Sequence, residues 1–136
     1  MTTVTPTTSE TVDAFFNAFG SGDIPGIIAL FRDDADFFVS GSSIVPWAGQ
    51  HSGKAEFEAF FSSFGKLLSA PEEFTIATRV TEGSQAVVIG RCVFGVLATG
   101  KTFDNRFAMH FVVEDGQIAK YNMYEDSYAI HAAFAE

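Results

Sequence analysis

One stretch in the second half of the chain, Ala86 to Leu97, is apolar at nearly every position rather than at every other one. A strand with one wet face alternates; a strand apolar on both parities must be covered on both sides. Whatever surrounds this strand therefore has to supply two apolar layers. One is available upstream. Val12, Phe15, Phe16 and Phe19 recur at helical spacing, as do Ile27, Ile28, Leu30 and Phe31, and then Phe57, Phe60, Phe61, Phe64, Leu67 and Leu68.

The punctuation sharpens this outline. A first helix is expected to start at a cap on Thr8 or Ser9 and to stop at Gly20-Ser21-Gly22. Asp23 caps a second, with Pro25 in its first turn, and Ala35 to Val39 is a short strand. Ser52 is expected to cap a third helix from Lys54 to Leu68. Strands follow over Phe74 to Thr81, Ala86 to Leu97, Phe103 to Val113 and Ile118 to Glu125, with Asp115-Gly116 as a hairpin signal. Asp126 or Ser127 caps a last short helix through Phe134. Met1 to Thr7 reads as a flexible tail and residues 8–136 as one domain. The order predicts an α+β fold, a curved antiparallel sheet wrapped on three N-terminal helices with a short C-terminal helix. Helices cover one sheet face, and a second copy of the chain is expected to cover the other. The expected partner is thus a homodimer mate, bound through the outer sheet face.

Composition narrows the partners. Sixteen phenylalanines among 136 residues make the interior aromatic, with ring shapes that line a cavity well. A small apolar or aromatic ligand is therefore expected. A net charge of −9 excludes nucleic acid, which needs clustered Lys and Arg, and disfavours an anionic membrane surface. The opening MTTVTPTTSE has neither the basic start nor the apolar run of a secretion signal. A single cysteine, Cys92, forms no disulfide within the chain, and a cytoplasmic location is expected. Three scattered histidines and that cysteine make no metal site, and no cofactor-binding motif is present.

Three segments carry a resemblance. They are FFNAFGSGDIPGIIALFRDDA from Phe15, WAGQHSGKAEFEAFF from Trp47, and HFVVEDGQIAKYNMYEDSYAI from His110. In this order they resemble the SnoaL-like and ketosteroid-isomerase-like members of the nuclear transport factor 2-like superfamily, over nearly the whole chain. The resemblance implies a cone with a deep pocket, on a fold that serves isomerases, cyclases, dehydratases, epoxide hydrolases and non-enzymes alike. It also implies site positions. The steroid-isomerase tyrosine, base and acid fall at Phe15, Val39 and Met109, all apolar here. An epoxide-hydrolase site would need carboxylates at Val93 and Met123 around Arg91, and only the arginine is present. An aldol cyclase would need an acid near Met123, a role the neighbouring Glu125 could take.

Strand parity then fills in the pocket. If Val39, Val93, Met109 and Met123 line it, so should Ile89, Arg91, Asn105, Phe107, Phe111, Tyr121 and Glu125. An unpaired charge inside an apolar strand is costly, so Arg91 is expected to pair with Glu125. The pair reads either as a structural ion bridge or as catalytic machinery, Arg91 orienting a substrate oxyanion and Glu125 moving a proton with Tyr121 beside it. Trp47 reads as a loop anchor or as a lid on a planar ligand. Two functions stay open: a cofactor-independent acid/base isomerase, cyclase or dehydratase, or a non-catalytic module for binding or assembly.

Overall fold

The computed structural model describes residues 4–136. In chain order the elements are α1 (Thr8–Gly20), α2 (Ile24–Ala29), β1 (Phe31–Val39), β2 (Gly49–His51), α3 (Lys54–Leu67), β3 (Glu73–Glu82), β4 (Gln85–Gly95), β5 (Thr102–Glu114), β6 (Gln117–Tyr124) and α4 (Ser127–Phe134). The three helices and the late run of strands fall where the periodicity puts them. Two caps differ. Thr7 caps α1, its hydroxyl accepting from the Glu10 amide while the Glu10 carboxylate accepts from the Thr7 amide. That reciprocal box satisfies two orphan donors at once, which Thr8 or Ser9 could not do with Glu10 three residues on. Of the expected tail, residues 1–3 lie outside the described residues, and Thr7 belongs to the helix cap. At α3 the cap is Gly53 at φ 83°, and the Ser52 amide is taken by the Glu56 carboxylate instead. Asp23 and Asp126 cap α2 and α4 through their side chains.

The strands form one sheet in the order β2-β1-β6-β5-β4-β3. All pairs are antiparallel except β1 with β6, which run parallel with Phe37 beside Tyr121. The four late strands pair antiparallel as expected, and the sheet becomes mixed only where the early strand β1 joins β6. β1 begins at Phe31 rather than Ala35 and lies inside the sheet, and the short β2, unforeseen, forms its edge. Strand direction here follows from connectivity, which a residue pattern does not record.

The helices cover the inner sheet face, and the aromatic residues gather between the layers. Phe37 stacks on Phe57 at 4.7 Å and meets Phe60 edge-on at 5.0 Å. Tyr121 touches Phe15, Phe31, Phe37 and Phe111. Each fully buried ring contributes about 1.5–3 kcal/mol of transfer free energy.

Register decides which residues of β4 join this core. Val88 lies opposite Met109, Gly90 opposite Phe107 and Cys92 opposite Asn105. The inner row of β4 is therefore Ala86, Val88, Gly90 and Cys92, and Ile89, Arg91 and Val93 point to the outer face. Their expected place in the pocket is corrected. The expectation took Val93 and Arg91 as site positions from the resemblance and counted parity from them, whereas the inner row is marked by Gly90, where a Cβ would come within 2.5 Å of the Thr75 carbonyl and 2.6 Å of the Phe107 ring. Phe107 fills the space that a β4 side chain would otherwise occupy, so the inner row carries no large residue at its centre.

Candidate functional site

Glu125 is the first residue after β6, at the end of the strand that carries Tyr121 and Met123. Two hydrogen bonds fix its backbone surroundings: its amide donates to Ser40 Oγ (2.9 Å), and the following Asp126 amide donates to Asn105 Oδ1 (2.8 Å). Part of the residue reaches solvent, while its carboxyl turns in among Trp47, Asn105 and the apolar lining. Trp47 Nε1 donates to one carboxyl oxygen at 3.1 Å and Asn105 Nδ2 to the other at 2.8 Å. Asn105 is fully buried and Trp47 almost so. Both donors are neutral. Among the described residues no lysine, arginine or histidine forms an ion pair with Glu125.

This environment sets opposing effects on the proton. Desolvation favours the neutral acid, and the two N–H donors favour the carboxylate. Desolvation wins, and the Glu125 carboxyl is pushed up to about 7. The neighbouring acids stay protonated: burial pushes the Cys92 thiol up to about 12 and the Tyr121 phenol upward as well. The Tyr121 hydroxyl has Met123 Sδ, at 4.0 Å, as its hydrogen-bond acceptor, a weak one for a fully enclosed phenol.

The carboxyl lies on an inner cavity of about 40 Å³, lined also by Trp47, Tyr121, Met109, Met123, Cys92 and Phe103. Outside it, a cleft of about 920 Å³ opens between the α1–α2 turn, α3 and β3. Phe19, Phe64, Leu68, Phe74 and Phe94 line both spaces and form the wall between them. No ionisable side chain lines the cleft.

Trp47 is held as a wedge. Its ring meets Phe64 edge-on at 5.4 Å and Phe134 of α4 at 5.2 Å, and its carbonyl is bonded by His51 Nε2 at 2.7 Å. The loop from Ser40 to Ser52 is tied down further by the His131–Ser42 contact at 2.7 Å, so His131 is engaged rather than free in solvent.

The remaining expected site residues divide into groups. Trp47, Met109, Tyr121, Met123 and Glu125 line the cavity, and Asn105 holds the carboxyl. Phe15, Val39, Phe107 and Phe111 point inward but are consumed by core packing, Phe107 against Phe74 and Phe111 against Phe15 and Tyr121. Ile89, Arg91 and Val93 are outside. Arg91 does not meet Glu125: it forms a two-pronged pair with Asp104 at 2.8 Å and a further pair with Glu73 on the outer face. The hydrogen bond from Arg91, together with its charge, holds the Asp104 carboxyl below its usual range. Phe19, Phe64, Leu68, Phe74, Phe94 and Cys92 are lining residues that parity from the wrong β4 row passes over. The helical stripes already contain three of them.

Residues 12–121 match the family model of the SnoaL-like domain. The chain belongs to the SnoaL-like domain family. No curated protein matches it in sequence. Among solved structures, a nuclear transport factor 2-like protein of Burkholderia xenovorans LB400 is similar with a TM-score of 0.83 and 24% identity, over 97% of this chain and 100% of that one. TerC, co-crystallised with polyporic acid, gives 0.80 and 20% over 93% and 97%. A candidate polyketide cyclase of Pseudomonas putida KT2440 gives 0.73 and 22% over 96% and 99%. At these identities the likeness establishes a shared fold.

Proposed function

We propose that this SnoaL-like domain binds a small, largely apolar molecule and exchanges a proton with it through Glu125, in a cofactor-independent isomerisation, cyclisation or dehydration. One observation carries the reading: a carboxyl enclosed on the cavity, held by two neutral N–H donors and, among the described residues, by no cation. A group poised near neutrality can both take and give a proton at working pH. Tyr121, whose hydroxyl has only a thioether to bond, is the natural partner for a ligand oxygen. The uncharged cleft supports an apolar ligand body, and TerC provides a case of this fold accommodating an organic molecule.

The size of the inner cavity favours a second reading. About 40 Å³ is room for little more than a water molecule, with Met109, Met123 and Phe103 around it. A ligand confined to the cleft would be bound without chemistry. The test is a thermal-shift screen with polyketide-like aromatics, steroids, terpenoid epoxides and fatty acids. Any hit is then followed by NMR for deuterium uptake from deuterium oxide into the bound molecule. The proton-transfer reading expects exchange that Glu125→Gln abolishes while binding persists. Binding without exchange, unchanged by Glu125→Gln, overturns it in favour of simple sequestration.

A homodimer through the outer sheet face completes the proposal. Val80, Ile89 and Tyr124 are exposed there, and the Asn122 side-chain oxygen is enclosed without a hydrogen-bond partner. A second copy would cover the three exposed side chains. Sedimentation of Ile89→Asp against the unaltered chain tests this: a fall to monomer supports the dimer, and a monomer in both rejects it. We place the protein in the cytoplasm, where its single free thiol needs no oxidising partner, and take residues 8–136 as one functional unit.

A further inference from the structure

We infer that the cavity at Glu125 receives the ammonium head of a primary amine whose apolar body lies in the outer cleft. The inference rests on the reading above, that Glu125 meets a ligand, and names the class of that ligand.

Size comes first. A water molecule's share of liquid volume is about 30 Å³. A chamber of about 40 Å³ therefore admits an ammonium group and excludes a branched or ring-bearing head. The body must stay beyond the wall made by Phe19, Phe64, Leu68, Phe74 and Phe94, in a cleft without ionisable side chains. Those rings would have to part slightly around a slender linker.

Charge is the second argument. Each Glu125 oxygen accepts one N–H bond from a neutral donor and retains further lone-pair capacity. An enclosed carboxylate without a cation is costly, and a bound ammonium supplies the missing partner with charge-assisted hydrogen bonds. The rings of Trp47, Phe103 and Tyr121 also line the cavity, and an aromatic ring met at its face attracts a cation rather than an anion. Around the carboxyl, the titratable neighbours are Cys92 from β4 and Tyr121 from β6, both held protonated. α1, α3 and the 40–52 loop present Phe19, Phe64 and Trp47, which do not titrate. His51 and His131 are engaged with the Trp47 carbonyl and Ser42. A net charge of −9 also draws cations to the surface and repels carboxylates and phosphates.

The two candidate ligand chemistries move protons in opposite directions. Near pH 6 most of the Glu125 population is neutral, so pairing with ammonium releases a proton. A neutral ketone or alcohol accepting from the acid releases none. Calorimetry with phenethylamine, hexylamine, phenethyl alcohol, acetophenone and hydrocinnamate, in buffers of different ionisation enthalpy, reads both affinity and proton count. The expected result is amine binding about tenfold or more tighter than the matching alcohol, with proton release, and loss of that preference in Glu125→Gln. If acetophenone binds with no proton release and needs Glu125 while neither amine binds better than the alcohol, the amine inference falls and the acid/base reading stands. If every probe binds Glu125→Gln and the unaltered chain alike, both fall. Failure of both amines to bind also overturns the inference.

Discussion

Two clusters of ionisable groups occupy opposite faces of the same strands, and their surroundings make them opposites. Arg91 stands on the outer face with Asp104 and Glu73, each partner charged and each side chain open to water. Glu125 stands at the inner end, near Asn105, only one residue along β5 from Asp104, and has two neutral donors and no cation. The outer cluster is locally compensated, and solvent screens whatever remains. The inner carboxyl has no such compensation, so its protonation state is sensitive to anything that enters the cavity. One position along a strand separates a group that is electrostatically quiet from one that can work.

The largest expected effect breaks the inner half of this comparison. Trp47→Ala removes the wedge between α3 and α4 and one of the two donors on Glu125. Large-to-small substitution of a buried aromatic costs about 3–5 kcal/mol. Urea unfolding should show a loss of that order; a change below about 1 kcal/mol would mean that the loop closes over the gap.

The next effect tests the charge itself. The folded-state value for Glu125 lies above its unfolded value, from 4.5 to about 7. Below 4.5 both states hold the proton, and the neutral acid's contribution is fully present. Between 4.5 and about 7 the unfolded chain ionises first, so this contribution fades as pH rises through that window. Above it, the cost of the enclosed charge reaches about 3 kcal/mol at most. Glu125→Gln should therefore flatten the stability profile between pH 4.5 and about 7 relative to the unaltered chain. Parallel profiles for the two proteins would place the carboxyl in water.

Much of the fold was legible because it depends on local signals. The stripes at Phe15, Phe19, Phe57, Phe61 and Phe64 fix the helices, and Asp115-Gly116 fixes a hairpin. The parallel pairing of β1 with β6 was not legible, since connectivity leaves no local residue signature. The site divides in the same way. Glu125, Tyr121 and Asn105 were found because parity counted along β5 and β6 holds, and Trp47 because a lone tryptophan in a Gly- and Pro-containing loop stands out. Arg91, Ile89 and Val93 were misplaced because the resemblance put Val93 and Arg91 at site positions and parity carried Ile89 along, and the inner row, with Gly90 at its centre, has no large residue to oppose that reading. That explanation has its own test. Gly90→Ala forces a methyl into the Thr75 carbonyl and the Phe107 ring, and overpacking of this kind costs about 1–3 kcal/mol. A neutral or stabilising result would show that Phe107 has room to move and that the glycine is not what holds the register.

The smallest effect belongs to the outer cluster and completes the contrast. Arg91→Ala removes a cation that two carboxylates share, yet the carboxylates it leaves are hydrated and can repel each other only through water. Its melting temperature should stay within the scatter of ordinary surface variants. Added salt should reduce whatever difference there is. The titration of Glu125, followed by its side-chain NMR signal, should not move, because the guanidinium points away from the cavity across the thickness of the sheet. A shift of that titration in Arg91→Ala would mean that the two faces are coupled, and the division between a quiet cluster and a working one would have to be redrawn.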